Sequence, residues 1–132
     1  MAEGLAIAAG KRTGRTVGAR SASTLGLVDR PADPHAVAVC QEIGVDIASH
    51  KSRPVFAEDV EWADYILVMA LHHASAVRDQ FPEADHKVLL LGTLGGALEI
   101  ADPIGKGRSR FRSARDEIKR CVDAFNARLP TA

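Results

Sequence analysis

An open α/β domain built on a parallel sheet is the fold class this sequence predicts, and three patterns predict it. Tyr65-Ile66-Leu67-Val68-Met69 and Lys87-Val88-Leu89-Leu90-Leu91 are apolar runs too short for helices, typical of strands covered on both faces. Helical periodicity lies between and after them. Leu71–Gln80 separates the two runs, and Phe111, Ala114, Ile118, Cys121, Val122, Phe125 and Leu129 form a long apolar stripe ending near Pro130. Strands alternating with helices imply a parallel sheet packed between helical layers. At 132 residues the chain has the length of a single domain, residues 1–132, with a real core.

The remaining elements follow in order. Met1, Leu5, Ala8 and Ala9 keep the spacing of one buried helix face, and Glu3 suits the positive end of that helix's dipole. Gly10–Gly14 then reads as a turn. Val17-Gly18-Ala19-Arg20-Ser21 alternates weakly and predicts a strand. After a loop over residues 24–32, Asp33 is placed to cap a helix whose first residue is Pro34. That helix carries Val37, Cys40 and Ile43 on one face and stops at Gly44. Val45–Pro54 is a polar connection, Ala57–Trp62 a short helix, and Gly92–Gly107 a long loop.

Charge and composition narrow the function classes. Lysines plus arginines equal aspartates plus glutamates at 17 each, so there is no basic excess of the kind a nucleic-acid binder shows. No apolar run reaches the length of a membrane span, and no secretory leader is visible, which makes the cytoplasm the expected compartment. The two cysteines, Cys40 and Cys121, fall at apolar helix positions and are expected to be buried as small hydrophobes. Neither has the C-x-x-C spacing of a redox or zinc site.

In an open α/β sheet the ligand lies beyond the carboxyl ends of the strands, so the loops after Ser21, Met69 and Leu91 should share one rim. Asp102 is the most interesting residue there. Pro103 restricts its backbone, and a carboxyl group projected into a cleft can serve as a general acid, although a surface Asp-Pro turn has the same sequence. His72 and His73 are adjacent on a helix and are expected to face different ways, against a shared metal ion. His50 lies in a polar loop suited to a structural hydrogen bond or to catalysis. Arg53 and Arg108 are either anion holders or solvated cations, and Trp62 and Tyr65 are expected to pack. There is no nucleophile-elbow pattern and no P-loop.

Taken in order, several motifs resemble the low-molecular-weight protein-tyrosine phosphatase family, which includes bacterial phosphoarginine phosphatases and related arsenate reductases. They are Met1-Ala2-Glu3-Gly4-Leu5, Ser21-Ala22, Asp33-Pro34-His35-Ala36-Val37, Ser49-His50-Lys51-Ser52-Arg53-Pro54, Trp62–Met69, Lys87–Leu91, Asp102-Pro103 and Arg115-Asp116-Glu117-Ile118. The resemblance implies a three-layer α/β/α, flavodoxin-like parallel sheet and no cofactor or metal requirement. It implies that Asp102 is the general acid, protonating the leaving group and then deprotonating the hydrolytic water. It also implies that Ser21 and His50 brace a phosphate loop, and that Leu25, Leu27 and Ile104 wall the substrate cleft with aliphatic rather than aromatic groups. Ser23 and Ala70 depart from the family pattern.

The larger departure concerns the nucleophile. The family's C-x-x-x-x-x-R-S-P motif and the strand before it would align ahead of Met1, and the 132 residues do not contain them. That loop supplies a thiolate of lowered pKa and an arginine that grips the phosphoryl group. The chain is therefore expected to lack the first strand of the sheet, to be inactive alone, and to be poorly soluble or rearranged when made alone. The implied substrate of an intact relative is a phosphorylated protein or a small phosphate compound. A non-catalytic remnant or binding module is the alternative, as is a phosphoarginine phosphatase or arsenate reductase once the loop is supplied.

Overall fold

Pleat alternation on the first apolar run sorts the core into its layers. In the computed structural model, which describes residues 1–15 and 17–129, β1 (Ile66–Val68) and β2 (Val88–Leu90) pair in parallel, with Ile66 opposite Val88 and Val68 opposite Leu90. Leu67 and Met69 point to a cluster containing Leu5, Ala9, Val39, Cys40, Phe111, Ile118 and Cys121. Ile66 and Val68 point the other way; Val68 joins Ala74, Val77 and Val88. Helices thus cover the sheet from two sides.

The first side holds α1 (Ala2–Thr13), α2 (Pro34–Gln41) and α5 (Arg108–Arg128). The second holds α4 (Leu71–Gln80), with α3 (Ala57–Trp62) contributing Val60 to a satellite cluster with Phe81 and Ala84. Two 3-10 turns, Pro82–Lys87 and Leu91–Gly95, flank β2. The first takes in Lys87 and the second Leu91, the two ends of the run expected as a strand, and the second also gives structure to the start of the expected long loop.

Asp33 caps α2 as expected, its carboxylate accepting from the His35 N–H at 2.8 Å, with Pro34 as the first helical residue. α3 and α4 have the expected bounds, and α5 carries the apolar stripe; Pro130 lies outside the described residues. Both cysteines are free and buried.

Several expectations are corrected. α2 ends at Gln41 rather than at Gly44, so Ile43, expected on its buried face, lies past the helix and is exposed. α1 does not stop before Gly10 but runs through it to Thr13, because Gly10 is a buried contact point whose added Cβ would lie 2.9 Å from Val17; the left-handed cap is Gly14, at φ 70°. Val17–Ser21 forms no strand. These residues pair with nothing among the described residues, since a groove separates them from the free edge of β1. β2 is not covered on both faces, because Leu89 is 42% exposed. Finally, Val45 and Ile47, in the connection expected to be polar, belong to the main core.

Candidate active-site rim

Glu3, in the first turn of α1, is the point on which the rim's polar side chains converge. Ser21 Oγ donates to Glu3 Oε1 at 3.1 Å, and His50 Nδ1 lies 3.8 Å from Glu3 Oε2, an ion pair whenever the ring is protonated. Segments distant in sequence, residues 17–22 and the connection before Pro54, are thereby tied to one helix N-terminus. Their own backbones are joined where the Ser23 N–H donates to the Arg53 carbonyl at 2.7 Å and the Val55 N–H to the Ser23 carbonyl at 3.3 Å.

Beside this triad lies an open pocket of about 370 Å³ bounded by Glu3, Arg20, Arg53, Phe56, Glu58 and Asp59. Arg53 is neither a free anion holder nor solvated, the two alternatives raised by the sequence. It donates to Asp59 Oδ1, while Oδ2 of the same carboxylate accepts from the Phe56 N–H at 3.0 Å to start α3. The Arg53 hydrogen bond holds the Asp59 carboxyl below its ordinary range. Arg20 approaches Asp59 to 3.5 Å and lays its guanidinium 4.0 Å over the centre of the Trp62 ring. Trp62 and Tyr65, expected to pack, do so on one side only: both are about half exposed, and Tyr65 meets Phe125 edge-on at 5.1 Å.

Asp102 stands at the loop between the Leu91–Gly95 turn and α5. It is exposed, and its Oδ1 accepts from the Ile104 N–H at 3.0 Å, the surface Asp-Pro turn of the two alternatives; it is not among the residues that bound the pocket beside Glu3. The Ile100 N–H donates to the Met69 carbonyl at 2.9 Å, which fastens this loop to the end of β1. Glu99 accepts from the Leu71 N–H at 2.6 Å, capping α4 from 28 residues away, a separation no capping-box pattern spans. Contrary to expectation, the rings of His72 and His73 lie together, with centroids 4.1 Å apart. Burial, and then His72, lower the pKa of His73, while Asp102 and Glu99 act in the opposite sense. No group of side chains suited to a metal ion occurs among the described residues.

Leu25 and Ile104 are 81% and 66% exposed, and Leu27 is half-buried. Arg108 begins α5 and faces solvent. Neither thiol belongs to the rim. Cys40 and Cys121 are 0% exposed, and burial pushes both thiols above the ordinary cysteine range, opposite to what a nucleophile needs.

One buried ionic group was not singled out as such by the sequence. Arg115, on α5, donates to the Val39 carbonyl at 2.8 Å, to Glu42 at 2.7 Å and to Asp116 at 2.9 Å, clamping α2 to α5. The sequence carried it only within the family-like run Arg115-Asp116-Glu117-Ile118, with no role attached. No helix among the described residues is long and apolar enough to cross a membrane.

A family model described as "Low molecular weight phosphotyrosine protein phosphatase" matches residues 1–132. A protein-arginine-phosphatase of Geobacillus stearothermophilus is 33% identical over 117 residues, 85% of this chain and 76% of that protein. The low molecular weight protein-tyrosine-phosphatase Etp of Escherichia coli strain K12 is 33% identical over 110 residues, 83% of this chain and 74% of that protein. The structure of a low molecular weight protein tyrosine phosphatase from T. tengcongensis superposes with a TM-score of 0.92 at 29% identity, covering 97% of this chain and 88% of that one. The α/β fold is therefore the flavodoxin-like one, and the chain belongs to the low molecular weight phosphotyrosine protein phosphatase family.

Proposed function

We propose that this chain carries the acid and substrate-facing rim of a cytoplasmic phosphoryl-transfer site acting on phosphorylated proteins, and that its 132 residues provide no nucleophile of their own. The observation that carries the second half is the burial of both thiols, each 0% exposed. Free thiols suit a reducing compartment. In the reaction, a thiolate attacks phosphorus while Asp102 gives its proton to the departing oxygen or nitrogen; Asp102 then takes a proton from the water that attacks the cysteinyl-phosphate, freeing the thiolate. Asp102 suits this role because the Ile104 N–H fixes one carboxyl oxygen and the group stays open to solvent. Ser21 and His50, joined to Glu3, would brace a phosphate-binding loop.

Phosphoarginine is the substrate class favoured over phosphotyrosine. Leu25, Leu27 and Ile104 offer aliphatic surface without an aromatic ring to stack on a phenol, and the Geobacillus relative is named for arginine dephosphorylation. The test is phosphate release from p-nitrophenyl phosphate and from a phosphoarginine peptide by the purified chain. No release from either is expected. Release that disappears in Asp102→Asn would overturn the claim about the nucleophile while keeping the acid; release unaffected by that substitution would overturn both.

A further inference from the structure

Between Asp102 and Asp116 the sequence holds Lys106, Arg108, Arg110, Arg112 and Arg115 and no acidic residue, although the chain as a whole has a net charge of zero. Arg112 and Arg115 are neutralised by Glu42, and Arg115 also by Asp116. Lys106, Arg108 and Arg110 are exposed and make no salt bridge or side-chain hydrogen bond among the described residues. Three unpaired cations are thus concentrated on one short stretch of surface.

Folding gives no reason for them. Arg108 and Arg110 stand in the first turn of the 21-residue α5, which has no acidic residue there and no side-chain cap. That end of a helix carries partial positive charge, so it favours carboxylates and disfavours cations. A local rule broken without a compensating contact is the mark of a site kept for another purpose.

The cations also lie beside the candidate acid. The Lys106 N–H donates to the Pro103 carbonyl at 2.9 Å, and Gly105 takes φ 78°, which closes a tight turn starting one residue after Asp102. The ends of such a turn are less than about 7 Å apart and the next residue adds about 3.8 Å, so the α-carbons of Asp102 and Lys106 lie within about 11 Å. Ile104, between them, is 66% exposed and adds apolar surface. Phe111, 2% exposed in the main core, anchors the start of α5 and with it the two arginines.

We propose that Lys106, Arg108 and Arg110, with Ile104, dock an acidic stretch of polypeptide next to Asp102. The use of this surface rests on the phosphoprotein reading above: acidic residues flanking a phosphorylated side chain are drawn to the rim that carries the acid. Three cations are fewer than the roughly four to eight with which polybasic segments hold anionic membranes, and a chain of zero net charge lacks the basic excess of a nucleic-acid binder. A short acidic peptide matches a patch of this size, with exposed ion pairs that are weak singly and screened by salt.

The test is fluorescence anisotropy of a fluorescein-labelled peptide of four glutamates and one leucine, titrated at low salt with the purified chain. The comparison peptide has glutamine for glutamate. One variant combines Lys106→Gln, Arg108→Gln and Arg110→Gln; the other combines Lys11→Gln, Arg120→Gln and Arg128→Gln, removing equal charge from exposed sites elsewhere. Saturable binding of the glutamate peptide is expected, at least about tenfold weaker in the first variant or with the glutamine peptide, within about twofold of the parent in the second variant, and lost as salt rises. Carbodiimide, which joins carboxylates to amines in contact, should link this peptide to Lys106 ahead of the other four lysines. No binding, equal weakening in the two variants, or a link chiefly to another lysine would overturn the proposal. So would tighter binding of an anionic lipid vesicle or a single-stranded oligonucleotide at Lys106, in favour of that partner. Any of these leaves the phosphoryl-transfer reading standing, because that reading is tested by phosphate release and this one by binding.

Discussion

Ser21 Oγ donates to Glu3 Oε1 at 3.1 Å, which joins an otherwise unpaired extended segment to the first turn of α1. Hydrogen bonds to charged acceptors contribute about 1.5 to 3 kcal/mol when sheltered and less when part-exposed, as here. Ser21→Ala should therefore destabilise the chain by about 1 kcal/mol. A double-mutant cycle with Glu3→Ala, which removes the acceptor, read from urea midpoints, should show the two losses to be less than additive. Strict additivity would mean the bond contributes nothing.

Arg115 and Arg112 both bind Glu42, but they differ in burial, and burial decides the outcome. Arg112 is exposed, so Arg112→Ala should barely move the urea midpoint. Arg115→Leu strips the Val39 carbonyl of its buried donor and should cost about 2 kcal/mol. Equal shifts in urea midpoint for the two variants would contradict this ranking.

Acid should weaken the same clamp. Hydrogen bonding from Arg112, reinforced by Arg115, lowers the Glu42 pKa to about 2 against an ordinary value of 4.5. A carboxyl whose folded pKa is depressed stabilises the fold above its unfolded pKa and loses that contribution as pH falls. The Glu42 contribution should thus fade between pH 4.5 and about 2, and Glu42→Gln should flatten the dependence of the urea midpoint on pH in that window. A wild-type profile parallel to that of Glu42→Gln would remove Glu42 from the account.

Gly95 owes its identity to a neighbour rather than to its backbone. A Cβ there would lie 2.7 Å from Cys121 Sγ, a buried atom with little room to move. Gly95→Ala should cost about 1 to 3 kcal/mol. Cys121→Ala in the same chain should recover part of that loss, measured by urea unfolding; no recovery would place the strain elsewhere.

The parts of the fold that were legible in the sequence are those whose stability is local or periodic. The apolar stripe of α5, the Asp33-Pro34 start of α2 and the runs around Leu67 and Leu89 all announce themselves through spacing or capping chemistry. What was not legible depends on partners far along the chain. Val17–Ser21 has strand-like alternation but no strand beside it, and alternation alone cannot make a ladder. Arg115 looks like any charged helix residue until α2 brings Glu42 and the Val39 carbonyl to it. Of the candidate site residues, Asp102 stood out from its own surroundings, as an Asp-Pro in a long loop, whereas Ser21 and His50 were named through resemblance. Glu3, which joins those two, looked like nothing more than a helix-dipole residue.

Intact-mass spectrometry of the purified chain, quenched in acid during incubation with a phosphoarginine peptide, most directly tests the claim that the rim holds an acid but no attacking sulfur. The account expects one unmodified mass at every time point. A phosphorylated species that forms during the incubation and maps to Cys40 or Cys121 would contradict it.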